Sequence, residues 1–291
     1  MRLHLRILAQ FFSCVLALLP ASAQKPAYSA LYAFGDSAVD VGNAYMATGG
    51  QVAAPPYYPG RFSNGPIWVE HLAGSLGLKI TPSLGGGTDY AVGGAEVTAT
   101  VPFGTLTIPS VPQQVEEYLS LHAGKADSHA LYILEGGGND ILSATPTTNP
   151  NTLGFQIAEG LAESEVLLRQ AGARHFLIPN LFNIAYLPAA PANTSFAAAA
   201  TTATNTWLIA LLALEEHLQG ISIRRINAFR VMKAEQTAPT HFGFTNLTTP
   251  CLVGTTVCAD PDHTLFWDAE HVSEFGQSAF AVAALDSLSD E

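Results

Sequence analysis

Short apolar runs that stop at glycine recur along this chain, with longer segments of helical spacing between them. Ala30 to Phe34 runs into Gly35-Asp36-Ser37, Asp89 to Val92 into Gly93-Gly94, and Ala130 to Leu134 into Gly136-Gly137-Gly138. His175 to Ile178 and Ile221 to Ile226 are two further runs of the same kind. Runs this short and continuously apolar read as strands buried on both faces, which is the condition of a parallel sheet covered by helices. The helical spacing lies where such a sheet needs its crossovers: Pro66 to Leu76, Pro112 to Leu121, Leu153 to Gln170 ahead of Gly172, Thr194 to Leu218, and Ser273 to Leu288. The expected class is therefore α/β with a mainly parallel sheet. Two irregular stretches, about 43–64 and 236–266, are excursions from that sheet, and loops of such length are often functional.

The first 23 residues stand apart. Arg2 and Arg6 precede an apolar stretch from Ile7 to Leu19, and Ala21-Ser22-Ala23 is a small-x-small cleavage site. This is the pattern of an export signal cleaved after Ala23, too short in its apolar part for a stable span of about 20 residues. The expected organisation is a signal peptide over 1–23 and one domain over 24–291, in a secreted or periplasmic protein. With those residues removed the net charge moves from −12 to about −14. Nucleic-acid affinity rests on Lys and Arg neutralising phosphates, so nucleic acid is excluded as a partner.

Export also gives the cysteines a meaning. Cys14 leaves with the signal, and Cys251 and Cys258 remain as an even pair in an oxidising compartment, where a disulfide is expected. A metal site is the rival reading, and it lacks a second pair of ligands.

In an open α/β sheet, ligands bind beyond the carboxyl ends of the strands. There this chain places Asp36-Ser37, Gly93-Gly94 and Gly138-Asn139-Asp140, and near its end Asp268 and His271 stand three apart before the last helix. Serine, histidine and aspartate are the parts of a nucleophilic acyl-transfer site. Ser37 is the candidate nucleophile, His271 the base that takes its proton, and Asp268 the group that orients the imidazole. The Ser37 N–H, the Gly94 N–H and the Asn139 amide are candidate donors to an oxyanion.

Four ordered blocks carry a family resemblance. Phe34-Gly35-Asp36-Ser37 running to Asp40-Val41-Gly42-Asn43, Tyr90-Ala91-Val92-Gly93-Gly94-Ala95, Gly137-Gly138-Asn139-Asp140 and Trp267-Asp268-Ala269-Glu270-His271 resemble the blocks of the GDSL/SGNH serine esterases and lipases. Arg61-Phe62-Ser63-Asn64-Gly65-Pro66 with Trp68 resembles the branch shared by plant and many secreted bacterial enzymes. The resemblance implies a three-layer α/β/α, flavodoxin-like fold with a five-stranded parallel sheet. It assigns Ser37, Asp268 and His271 to a triad, and Ser37, Gly94 and Asn139 to the oxyanion hole. Ala38-Val39 replaces the usual Leu-Ser, and Val272 stands where Pro commonly follows the histidine; neither change removes a reacting group.

The expected function is cofactor-free hydrolysis of a lipid, acylated-carbohydrate or small-molecule ester. An acyltransferase or polysaccharide deacetylase with the same triad is the alternative. A metal hydrolase built on Asp260, Asp262, His263, Asp268 and His271 would leave Ser37 and Asn139 without a role. A carbohydrate-binding module using Tyr57, Tyr58, Phe62 and Trp68 would need neither triad nor donors.

Overall fold

The computed structural model describes residues 27–190 and 194–289. The export signal and its cleavage point fall outside them. The central sheet contains β1 (Leu31–Phe34), β4 (Leu131–Leu134), β5 (His175–Leu177) and β6 (Ser222–Arg224), all parallel and in that order. Between β1 and β4 the chain forms α1 (Asn43–Ala47), α2 (Trp68–Ser75), the antiparallel hairpin β2 (Val101–Phe103) and β3 (Leu106–Ile108), and α3 (Val111–Leu121). After β4 come α4 (Gly138–Leu142), α5 (Pro150–Ala171), α6 (Thr194–Glu215) and α7 (Ala228–Thr237), with β5 and β6 interleaved. A second hairpin, β7 (Leu252–Val253) with β8 (Thr256–Val257), precedes the last helix α8 (Glu274–Ser289).

The sheet has four strands rather than the expected five. Residues 88–92 do run parallel beside β1: Ala33 N–H donates to Thr88 O, Tyr90 N–H to Ala33 O and Val92 N–H to Gly35 O. Only the Ala33–Asp89 bridge reaches ladder geometry, because the Asp89 side chain accepts from Val41 N–H and Ala91 N–H and bends the segment. The fifth place is filled by an extended edge that is not a strand. With this edge counted first, the order matches the doubly wound pattern that leaves a crevice beside β1.

Helices cover both faces. α2 packs on α8, whereas α5 packs on both α3 and α6. Every residue of β4 is buried, as its unbroken apolar run requires. Helix starts follow their caps. Ser110 accepts from Gln113 N–H while the Gln113 side chain accepts from Ser110 N–H, and Asn149 accepts from Asn151 and Thr152, so α5 begins three residues before the expected Leu153. The apolar run in α6 divides between faces, with Leu208 and Leu212 inward and Trp207 and Ile209 outward.

One core residue works against the fold. Glu235 on α7 is fully buried, and neither carboxyl oxygen finds a donor among the described residues. Burial pushes its pKa up to about 8 from an ordinary 4.5. A folded-state pKa above the unfolded one gives stability that is whole at low pH and lost as pH rises toward 8. The thermal midpoint is therefore expected to fall between about pH 4.5 and 8, and Glu235→Gln to lessen that fall. Thermal unfolding of both proteins at the two ends of the window checks this, and equal slopes would refute it.

Candidate active site

The carboxyl ends of β1 and β4 and the edge beside β1 converge on one crevice. β1 ends at Gly35, whose N–H and C=O are both bonded by the buried Gln114 carboxamide at 2.8 and 2.9 Å. This clamp holds the turn that presents Ser37. The Asp36 carboxylate closes the turn by accepting from Ala38 N–H at 2.9 Å. Asp40 then accepts four backbone N–H groups, from Gly42, Asn43, Ala44 and Gly93, so the first block grips the second. Asn43 adds bonds from its amide to the carbonyls of Asp89 and Ala91.

Asp40 also settles which glycine offers a free donor. Gly93 N–H is committed to the Asp40 carboxylate at 2.8 Å. Gly94 N–H and Ser37 N–H have no acceptor among the described residues. Gly94 adopts φ +84°, which favours glycine, and a Cβ on Gly93 would lie 2.2 Å from the Phe62 ring. That ring in turn packs on His271, with centroids 5.0 Å apart.

β4 ends in the glycines that lead into α4. Asp140 is taken up by structure, accepting from Val97 N–H and from the N–H and hydroxyl of Thr98. The Asn139 Nδ2 amide donates to Ala95 O at 2.9 Å and makes a longer 3.3 Å contact with Asp36 Oδ2.

Asp268 and His271 arrive from the far end of the chain on a turn that explains their spacing. Asp268 Oδ1 accepts the N–H of Glu270 and of His271, both at 2.8 Å, and Trp267 N–H closes the turn on His271 O. Capping its own turn, the carboxylate faces the ring three residues on. His271 Nδ1 lies 2.8 and 2.9 Å from Asp268 Oδ2 and Oδ1, and Nε2 lies 2.9 Å from Ser37 Oγ. Ser37, His271 and Asp268 are thus joined by hydrogen bonds, and Ser37, Gly94, Asn139 and His271 line one cavity.

Charges follow from these contacts. Burial works to raise the Asp268 carboxyl, but His271 and the bonds from Tyr57 and the backbone outweigh it and hold it at about 2. For His271, burial disfavours the cation, yet the adjacent Asp268 carboxylate prevails and the imidazole pKa is raised above 6.5. Beneath the turn that carries Ser37, Glu135 and Asp36 form a buried acid pair. Burial first, and Asp36 second, push the Glu135 carboxyl well above the carboxylate range.

Two contributors lay beyond the sequence motifs. Tyr57 donates its hydroxyl to Asp268 Oδ2 at 2.6 Å, the same oxygen that lies 2.8 Å from His271 Nδ1. The Cys251–Cys258 disulfide closes the β7–β8 hairpin, and Cys251 N–H and Leu252 N–H bond to the carbonyls of Phe266 and Trp267, directly ahead of Asp268. Among the described residues, no three His, Cys, Asp or Glu side chains gather as a metal site. His263 pairs instead with Asp260 at 2.7 Å, in an exposed contact.

Residues 31–284 match the family model described as GDSL-like Lipase/Acylhydrolase. The chain belongs to this family. It is 32% identical over 187 residues to a phosphatidylcholine-sterol acyltransferase of Aeromonas hydrophila, a match covering 62% of this chain and 54% of that protein. It is 26% identical over 239 residues to the thermolabile hemolysin of Vibrio parahaemolyticus, covering 80% of this chain and 53% of that protein. The chain thus spans about half the length of these two relatives. A GDSL esterase/lipase of Arabidopsis thaliana is 26% identical over 301 residues, with 82% of this chain and 80% of that one matched. Among solved structures, a member of the lipolytic G-D-S-L family from Veillonella parvula superposes with a TM-score of 0.51 at 16% identity, over 90% of this chain and 98% of that one. That likeness concerns the fold.

Proposed function

We propose that this GDSL-family chain hydrolyses carboxylic esters through an acyl-enzyme on Ser37. The observation that carries the reading is the unbroken line from Ser37 Oγ through His271 to Asp268, with 2.9 Å at the first step and 2.8 Å at the second. His271 Nε2 takes the Ser37 proton as Oγ bonds to the ester carbon. The C–O bond to the alcohol then breaks, and the same proton passes to the departing oxygen. Water, deprotonated by His271, attacks the acyl carbon; the acid leaves and Ser37 recovers its proton. Asp268, held as a carboxylate, fixes the imidazole tautomer and stabilises its cation.

The oxyanion of each tetrahedral intermediate would receive the N–H groups of Ser37 and Gly94 and one proton of the Asn139 amide. The amide would supply that proton by exchanging its longer 3.3 Å bond to Asp36 Oδ2 for the oxyanion, while the 2.9 Å bond to Ala95 O holds it in place. If an alcohol reaches the acyl-enzyme before water, the same residues transfer the acyl group. The printed name of the Aeromonas relative makes that second outcome worth measuring, by product analysis with added alcohol. We also propose that the protein is exported, on the strength of residues 1–23 and of a disulfide that belongs in an oxidising compartment.

Two measurements test the hydrolase reading. An alkyl phosphonate ester should label the protein once, on the peptide containing Ser37; labelling elsewhere would sink the assignment. The pH–rate profile should fall on the acid side as His271 gains its proton. Since Asp268 raises the imidazole, the midpoint of that limb is expected above 6.5. A rate that stays level down to pH 5 would remove His271 as the base.

A further inference from the structure

Two chambers open on either side of Ser37, and they share only Ser37, Phe62, Asn139, Glu270 and His271. The first lies over the ends of β5 and β6, walled by Leu181, Ile184, Leu187, Ile226 and Phe280, all buried in the fold. The second lies between α1, the edge beside β1 and the β2–β3 hairpin. Val52, Val92 and Ile108 line it, and its rim is Leu84, Phe103 and Leu106, three large apolar side chains 55%, 46% and 40% exposed. Each chamber therefore presents an apolar wall to one flank of a bond held at Ser37.

The polar inventory narrows the substrate further. No Lys or Arg lines either chamber, whereas Asp36, Glu117, Glu135 and Glu270 do. A phosphate or free carboxylate would meet no Lys or Arg and several acidic side chains. The main amide side chains outside the Ser37 cluster are already occupied. Gln277 is bonded to Trp68 N–H and Val272 O, Asn180 to Phe229 N–H and Asn227, and Asn43 to Asp89 O and Ala91 O. A sugar hydroxyl would find few unpaired partners, and burying it unpaired is costly.

We propose that the site takes an uncharged ester with an apolar group on both sides of the linkage, the acyl chain in one chamber and the alcohol in the other. This rests on the Ser37 reading and adds the substrate class. Because the arms enter separate chambers, their gains should multiply.

The test uses ethyl acetate, ethyl hexanoate, hexyl acetate and hexyl hexanoate with the unmodified protein, beside dihexanoyl phosphatidylcholine below its micellar concentration. Each long arm is expected to raise kcat/KM by at least about 10-fold, and both together by about 100-fold, in keeping with what methylene groups contribute in apolar pockets. The phospholipid should be cleaved more slowly than hexyl hexanoate. Ala47→Trp, on the exposed side of α1 at the second chamber, should erase the gain from one arm and spare the other. A gain from one arm only, a faster phospholipid, or an Ala47→Trp effect on both arms or neither overturns the two-chamber proposal. If no ester is cleaved, aryl acetates included, the Ser37 reading itself falls; cleavage without arm preference defeats this inference alone.

Discussion

Replacing Ser37 by alanine is expected to cut ester turnover by about 10³-fold or more, the scale on which removal of a nucleophile acts when the rest of a site survives. The fold should survive, because the Ser37 hydroxyl is partly exposed and bonds only to His271 among the described residues. The Gln114 clamp on Gly35 and the Asp36 bond to Ala38 N–H hold the turn without it. A kcat/KM measurement on an aryl acetate, paired with a thermal melt, separates the two quantities. Full activity in Ser37→Ala would end the acyl-enzyme proposal, and lost activity with a lowered melt would show only a damaged turn.

Asn139→Ala is expected to lower kcat by roughly 10²–10³-fold with KM little changed, since a donor to an oxyanion acts in the transition state rather than on bound substrate. The amide also holds Ala95 O, so alanine removes some positioning with the donor. Asn139→Asp distinguishes these effects. It keeps the shape but sets a carboxylate where the anion should form, beside Asp36, and should be slower still. An Asp variant as fast as the parent would take Asn139 out of the oxyanion hole.

The elements that anchor the site were legible because local physics decides them. β1 and β4 begin within a residue of the expected starts; β4 breaks at Gly136 and Gly137, both at positive φ, and β1 at Gly35, where a Cβ would press on Val39 and Glu135. α7 escaped notice for an equally local reason. Its buried face carries Glu235 beside Ala228 and Met232, so the apolar period is interrupted, and the Asn227 cap was the surviving signal. The β2–β3 hairpin, mostly exposed, has no buried face to advertise. At the site, the serine, histidine and aspartate that hydrogen-bond there, and the donors proposed beside them, were candidates from spacing and residue type. Tyr57 was not, since it lies in none of the four blocks and no pattern along the chain encodes its bond to Asp268. The missing fifth strand has the same character: Asp89 looks like an ordinary strand residue until its side chain is seen bonding Val41 and Ala91.

The distance along the chain between Ser37 and His271, 234 residues, has a consequence for the order of events. A chain that emerges amino end first makes the Ser37 hydroxyl 234 residues before the imidazole that it meets in the fold. The turn bearing Asp268 and His271 comes just ahead of α8, and it leans on a hairpin whose bond forms only under oxidising conditions. The proposed site therefore cannot assemble until residues 268–271 have been made and folded back onto β1, whatever the rest of the chain has already formed.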